Sequence, residues 1–490
     1  MSASRAWTGL LGVALAAGCM VGPAYRRPPT PAPAAWSTTP GGGASTAAVQ
    51  IVDWWRTFDD PLLDRLVARA IAANQDLRIA AARVREARAL RSGTVGELLP
   101  TIDALASYTD ARRSENALTF PVDQLDSTLY ETSFDASWEL DLFGGKRRAV
   151  EAATADLAAA LENERDVLVT LLAEVARNYV EARGVQRRLV IAHGNIDVQE
   201  DAVALTRARF DAGLTSELDV AQATSLLARI RAQVPVLDTS LRRAAYRLGV
   251  LLGGEPGALW DELAAEEPIP PVPPEVPVGL PADLLRRRPD VRRSERQLAA
   301  ATARVGVETA ELFPKVSLLG TAGLQSLRAS DLFTGGSRFW SAGPSLTWRI
   351  FDAGRIRARI HAQDAREEQA LAQYEKTVLT ALEDAENALV AYAQEQVRYR
   401  SLEDAVRASR RAVDLATELY TKGLGSFLAV VDAERSLYDN EDQQVVSQSN
   451  VSVNLVALYK ALGGGWNTAE NGDAPAAEDR GDAPSAGQRG

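Results

Sequence analysis

One cysteine, two histidines and two methionines are spread over 490 residues. A lone cysteine, Cys19, excludes an intramolecular disulfide, and with only the distant His193 and His361 beside it the usual His/Cys zinc sites are excluded too. Both histidines fall within amphipathic helical patterns, which argues against a Cys–His nucleophilic pair. Aromatic residues make up 6%, and no apolar run reaches the roughly 18–20 residues that a membrane-spanning helix needs. A formal net charge of −11 makes nucleic acid a poor partner, since phosphate binding needs clustered Lys and Arg. The 46% apolar content is nevertheless enough for a core. Composition leaves a helical, non-catalytic, water-compatible protein, whose length would ordinarily suggest about three domains.

The order of residues along the chain says more. Arg5, the apolar run Trp7–Ala17 and then Gly18-Cys19 read as an export signal over 1–18, too short to span a bilayer. Cys19 follows Ala16-Ala17-Gly18, which resembles the lipobox of bacterial lipoproteins, although Ala16 stands where that family prefers Leu. The resemblance implies a diacylglycerol and an N-acyl chain on Cys19, and Met20 in place of Asp implies the outer membrane as the address. More than one acyl chain makes such an anchor stable. Residues 19–50, rich in Pro, Ala, Gly and Thr without a period, read as a linker, and 467–490 as a disordered tail.

The body is written twice. Asp76 and Pro100 recur as Asp290 and Pro314, and Phe210-Asp-Ala-Gly213-Leu-Thr-Ser216 recurs as Tyr420-Thr-Lys-Gly423-Leu-Gly-Ser426. The copies span 51–267 and 282–466, joined by a Pro-rich connector at 268–281. Two structural repeats, not three domains, are expected.

Each copy predicts a strand pair, at about 101–112 and 128–143 and at about 315–327 and 340–351. Phe134, Ala136, Trp138, Leu140 and Leu142 alternate with Ser133, Asp135, Ser137, Glu139 and Asp141, which gives one apolar and one polar face. A half-buried strand in a soluble sheet would also alternate. Length, charge on one face and Trp on the other suit a transmembrane β-barrel instead. Four strands cannot close a barrel and lipid tolerates no open edge, so several chains must each donate four.

Helices are expected over about 144–212, 215–253, 353–422 and 426–462. Apolar residues recur at sevens from Leu161 to Phe210 and again from Leu371 to Tyr420, a repeat that imposes coiled-coil packing. The first long helix would measure about 100 Å. Gly213 and Gly423 end the long helices, and a shorter returning helix plus the helix before each strand would together line a long one. Arg286-Arg-Arg288 with Arg292-Arg293 reads as a solvated helix entrance.

With Cys19-Met-Val-Gly-Pro-Ala-Tyr25, Ser137-Trp-Glu-Leu-Asp-Leu-Phe-Gly144, Leu284-Leu-Arg-Arg-Arg-Pro-Asp290, Trp348-Arg-Ile-Phe-Asp-Ala-Gly354 and Leu458-Tyr-Lys-Ala-Leu-Gly-Gly-Gly-Trp466, the chain resembles the TolC-like outer-membrane efflux family, in its lipoprotein branch of the OprM and NodT type. The resemblance implies a mixed, mainly α fold: a homotrimer with a twelve-stranded barrel in outer-membrane lipid, continuous with a periplasmic α-helical barrel. It also implies the passive exit duct of a tripartite pump for small molecules such as drugs, with no chemistry and no cofactor. The implied partners are a periplasmic adaptor, at the turns of Gly213, Ser216, Gly423 and Ser426, and an inner-membrane transporter of the RND type. Leu428 and Asp432, matching the family's narrow mouth, are four apart and stack on one helix face. The first copy has Leu218 and Gln222 at the equivalent place. Metal-ion efflux, protein export and a non-conducting periplasm-spanning scaffold are the alternatives.

Overall fold

The computed structural model describes residues 20–29, 33–38, 41, 43–45, 47, 51–114, 116 and 125–467. The expected signal at 1–18, Cys19 and the tail from 468 lie outside the described residues. Strand, strand, long helix and shorter helix occur in that order twice.

The strands are β2 (Thr101–Arg112), β3 (Asp126–Leu140), β5 (Lys315–Ser326) and β6 (Arg338–Thr347), while β1 (Ala44–Ser45) and β4 (Val276–Pro277) form a separate two-stranded parallel pair. The first four make one sheet in the order β2-β3-β5-β6, antiparallel throughout. Opposed residues share a face, so the register sorts the side chains. Ala104, Phe134, Ala322 and Trp340 stand in one row, and Ile102, Ala136, Gly320 and Ala342 in the next row on that face. Asp103, Asp135, Thr321 and Ser341 form a row on the other face, where the Thr321 hydroxyl donates to Asp135 at 2.8 Å. The alternation read from β3 therefore runs across the whole sheet. Ile102, Phe134 and Trp340 are all exposed in the single chain, and β2 and β6 each keep one edge unpaired.

Two strands stop short of their expected ends. The strand expected to 351 ends at Thr347, and the one expected to 143 ends at Leu140. In both, an aspartate turns the chain into helix. Asp141 accepts from the N–H groups of Lys146 and Arg147, and Asp352 from those of Gly354 and Ile356. The unpaired N–H groups of a helix start favour a carboxylate there. Trp138 and Trp348 then donate their indole N–H to Leu98 O (2.9 Å) and Leu312 O (3.1 Å), tying each strand end to the end of the preceding helix.

The helices are α1 (Pro61–Ala73), α2 (Gln75–Gly96), α3 (Gly145–Asp211), α4 (Glu217–Leu251), α5 (Trp260–Ala264), α6 (Pro281–Arg287), α7 (Pro289–Ala310), α8 (Arg355–Thr421) and α9 (Phe427–Ala461). The 67-residue α3 and α8 are each about 100 Å long. Beside them the shorter helices meet end to end. Asn74 makes the first joint: its side-chain oxygen accepts from Leu77 N–H at 3.0 Å, capping α2, and its amide donates to Leu251 O at 2.9 Å, closing α4. Arg288 makes the second. Its guanidinium reaches Ala461 O (3.2 Å) at the end of α9, Ala381 O (3.4 Å) on α8, and the carboxylates of Asp290 (2.7 Å) and Asp384 (3.0 Å).

Arg286 of the arginine run is exposed, as a solvated entrance requires, but the rest is not. Arg288 is buried, Arg292 and Arg165 both lie over the Trp466 ring with Glu162 between them, and Arg293 pairs with Asp166. Buried guanidinium is tolerable because every contact supplies an acceptor or a π face. The main core surrounds the joints: Trp54 stacks on Tyr459 at 5.2 Å, and the Tyr179 hydroxyl donates to Asp60 at 2.6 Å.

The N-terminal segment expected as a loose linker is also bound. Val21 N–H donates to Phe143 O, Arg148 donates to the carbonyls of Val21 and Gly22, Trp36 donates to Gly279 O, and Glu386 accepts from the N–H groups of Ser37 and Thr38. Gly144, at φ 80°, leaves room for Met20, whose Cα lies 2.8 Å from where a Cβ would stand.

Candidate functional site

The two helical hairpins turn at the end remote from the sheet, and both turns are built alike. Gly213 (φ 71°) and Gly423 (φ 72°) take the left-handed conformation that favours glycine. Past them, Leu214 N–H returns to Arg209 O and Leu424 N–H to Leu419 O, satisfying carbonyls that the helix end leaves free. Ser216 and Ser426 follow with extended backbone at the starts of α4 and α9, without a side-chain cap bond. Asp219 instead accepts from the Thr215 hydroxyl. All four turn residues are exposed, as are Leu214 and Leu424 beside the glycines.

A small core joins the tips. Ala223 of α4, Tyr420 of α8 and Phe427 and Val430 of α9 are buried together, with the Tyr420 and Phe427 rings 5.3 Å apart. The Arg209 guanidinium of α3 lies 4.6 Å from the Tyr420 ring centroid, a cation–π contact across the two hairpins. The Tyr420 hydroxyl is buried with no hydrogen-bond partner among the described residues.

Because Phe427 turns inward, its neighbour Leu428 turns out, at 49% exposed. Asp432, one turn further, shares that open face; its side chain is 53% exposed and pairs with Arg435 at 3.3 Å. An apolar side chain and a carboxylate thus stand one turn apart on an uncovered helix face. In the first hairpin Leu218 is exposed likewise, whereas Gln222 is half-buried, its side-chain oxygen without a partner among the described residues. Sequence reasoning missed the cation at Arg435 and the Arg209–Tyr420 contact. The i,i+3 spacing signalled the first, and nothing local signals the second. No helix among the described residues is long and apolar enough to cross a membrane.

An antiparallel sheet with one apolar face, feeding straight into helices of this length, is the architecture of the TolC-like outer-membrane channels. Within that class, the chain belongs to the outer membrane efflux protein family, whose model matches residues 66–254 and 280–464. It is similar to nodulation protein T of Rhizobium leguminosarum bv. trifolii, at 32% identity over 92% of this chain and 96% of the relative. It is likewise similar to the solvent efflux pump outer membrane protein SrpC of Pseudomonas putida, at 33% identity over 93% and 97%. Among solved structures, the outer-membrane channel OprN matches with a TM-score of 0.87 at 40% identity, over 91% of this chain and all of that one.

Proposed function

We propose that three copies of this chain form the outer-membrane exit duct of a tripartite efflux pump, conducting small molecules passively from the periplasm outward. The observation that carries this reading is the open sheet. Its unpaired edges at β2 and β6 run antiparallel to each other, so β6 of one chain pairs with β2 of the next, and three chains close a twelve-stranded barrel. Closure leaves no free edge in lipid; the Phe134–Trp340 row faces the lipid and the Asp135–Thr321 row the lumen. The helices continue the duct into the periplasm.

Cys19 carries the lipid anchor in this reading. Supporting it, Met20 sits against Gly144 at the junction of sheet and helix, level with the inner edge of the barrel. At the opposite end, the turns of Gly213, Ser216, Gly423 and Ser426 meet the periplasmic adaptor, and the inner-membrane transporter, of the RND type, supplies the energy. Relatives named for solvent, toluene and pyoverdine transport support small-molecule cargo. Leu428 and Asp432 form the periplasmic gate. Three leucines on the axis make a dry constriction, and three carboxylates one turn away repel anions and attract cations.

The test is single-channel recording in planar bilayers. Leu428→Ala combined with Asp432→Asn is expected to raise conductance several-fold and to admit larger solutes. Unchanged conductance in a folded trimer would remove both residues from the gate, and a folded trimer that never conducts, as wild type or with the double substitution, would refute the duct.

A further inference from the structure

Helix α9 shows Asp432 to the open side, but two residues further on it turns a second carboxylate the other way. At about 100° per residue, Glu434 points some 200° from Asp432, toward the first hairpin. There Gln199 of α3 donates its amide N–H to Glu434 Oε2 at 2.7 Å. Gln199 is 1% exposed, and its side-chain oxygen is buried with no partner among the described residues. An ionised carboxylate holds acceptors alone and cannot serve that oxygen, whereas a protonated one carries an O–H that can. With one proton added, amide and carboxyl complete a reciprocal pair: N–H to one carboxyl oxygen, O–H from the other to the amide oxygen.

We infer that Gln199 and Glu434 form a proton-dependent latch that holds the gate-bearing helix α9 against α3, complete when Glu434 is protonated and incomplete when it is ionised. The inference rests on the gate reading of Leu428 and Asp432. The latch is not duplicated. At the corresponding places of the other copy stand Ser409 on α8 and Thr224 on α4, and each hydroxyl is engaged within its own hairpin, Ser409 by Asn440 and Thr224 by Val220 O. A titratable contact therefore crosses between the hairpins of one chain, with no carboxyl at the equivalent crossing.

The charged groups along the helices packed here include the pairs Asp432–Arg435 on α9, Arg410–Glu441 between α8 and α9, Glu200–Arg231 between α3 and α4, and Arg188–Asp442 between α3 and α9. Asp197 and Asp201 stand exposed on either side of Gln199 on α3, and Tyr438 follows Glu434 by one turn on α9. Burial pushes the Glu434 carboxyl above its ordinary range, and the Gln199 bond draws it only partly back. Since the folded value is raised, the latch is complete below the ordinary glutamate range, about 4.3, and is lost as pH rises through the raised value. Acid closes the tip more firmly.

The test uses the full-length trimer in planar bilayers at about pH 4, below the ordinary glutamate range, and at about pH 7.5. Wild type is expected to open less in acid, by roughly fivefold, the equilibrium ratio of one net hydrogen bond worth about 1 kcal/mol. Glu434→Gln supplies a permanent N–H in place of the acid's O–H, so it should show the acid level at both pH values. Gln199→Leu should show the open level at both. A wild-type pH response that survives in Glu434→Gln overturns the latch, and so does its absence from wild type. Hydrogen exchange at about pH 7.5 gives a second reading: amides around 196–203 and 431–437 should exchange more slowly in Glu434→Gln, and equal rates overturn the inference. If Leu428→Ala with Asp432→Asn raises conductance while Glu434→Gln keeps the wild-type response, the gate stands and the latch falls. If that double substitution leaves conductance unchanged while Glu434→Gln still slows exchange, the gate reading falls and the tie between α3 and α9 remains.

Discussion

Replacing Arg288 with methionine would remove a side chain that joins the end of α9, the start of α7 and the wall of α8. Methionine fills much of the same volume, so the loss is electrostatic rather than a cavity. Asp290 keeps only 20% of its side chain exposed and loses its cation, while Asp384, at 48%, can turn to water. Breaking a buried pair by removing one partner costs about 3–5 kcal/mol, and the exposed share through Asp384 is worth little. The carbonyls of Ala461 and Ala381 lose donors as well, so about 3 kcal/mol per chain is expected. In hydrogen exchange of the detergent-solubilised protein, amides of 289–295 and 459–464 should lose protection by roughly a hundredfold if they open locally. Arg288→Lys, which keeps the charge but not the planar fork, should recover part of it.

Acid titration gives the same substitution a second signature. Burial acts to raise the Asp290 carboxyl, yet the hydrogen bonds and charge of Arg288 hold it below its ordinary value. The stability from this pair is therefore fully present above the usual aspartate range, about 3.9, and lost as pH falls through the lowered value. That acid-induced loss should vanish in Arg288→Met. Exchange rates at the joint within about threefold of wild type, a difference of under 1 kcal/mol, would refute the reasoning.

Other substitutions probe the joints and the tip more simply. Asn74→Ala removes the cap of α2 and the donor to Leu251 O together, and should cost about 2 kcal/mol, seen as faster exchange of amides at 75–78 and 251–254. Tyr420→Phe deletes a buried hydroxyl that has no partner among the described residues, so thermal unfolding should be unchanged or shifted upward, by no more than about 1 kcal/mol; a clear destabilisation would mean that the hydroxyl is satisfied.

How far the sequence could be read depended on whether a feature left a period. The alternation around Trp138 predicted a sheet with one apolar face, and the register carries that face across all four strands. The four-residue spacing of Leu428 and Asp432 put them on one helix face, where they stand exposed. Arg288 left no such mark. A run of arginines is ordinarily solvated, and Arg288 is closed in only by the arrival of α8 and α9 from some 90 and 170 residues away. The N-terminal segment escaped for a similar reason: it is held through irregular backbone contacts, to Phe143 and to Glu386, that impose no pattern on its own residues. Tyr420 belonged to the heptad series, but the guanidinium of Arg209 above it comes from the other hairpin.

The butt joints at Asn74 and Arg288 have a mechanical consequence. Leu171 lies beside the first joint and Ala381 beside the second, 210 positions apart, so both breaks fall at the same height in the two copies. Above and below that level the wall consists of paired rods, but at the joints only α3 and α8 run through without interruption. Bending at that level is therefore resisted in the second rod not by continuous helix but by the Asn74 and Arg288 contacts and the core packed around them. The 35-residue arms α4 and α9, about 50 Å long, act as levers: a rotation of a few degrees at the joints swings the tips by several ångströms while the strands stay still.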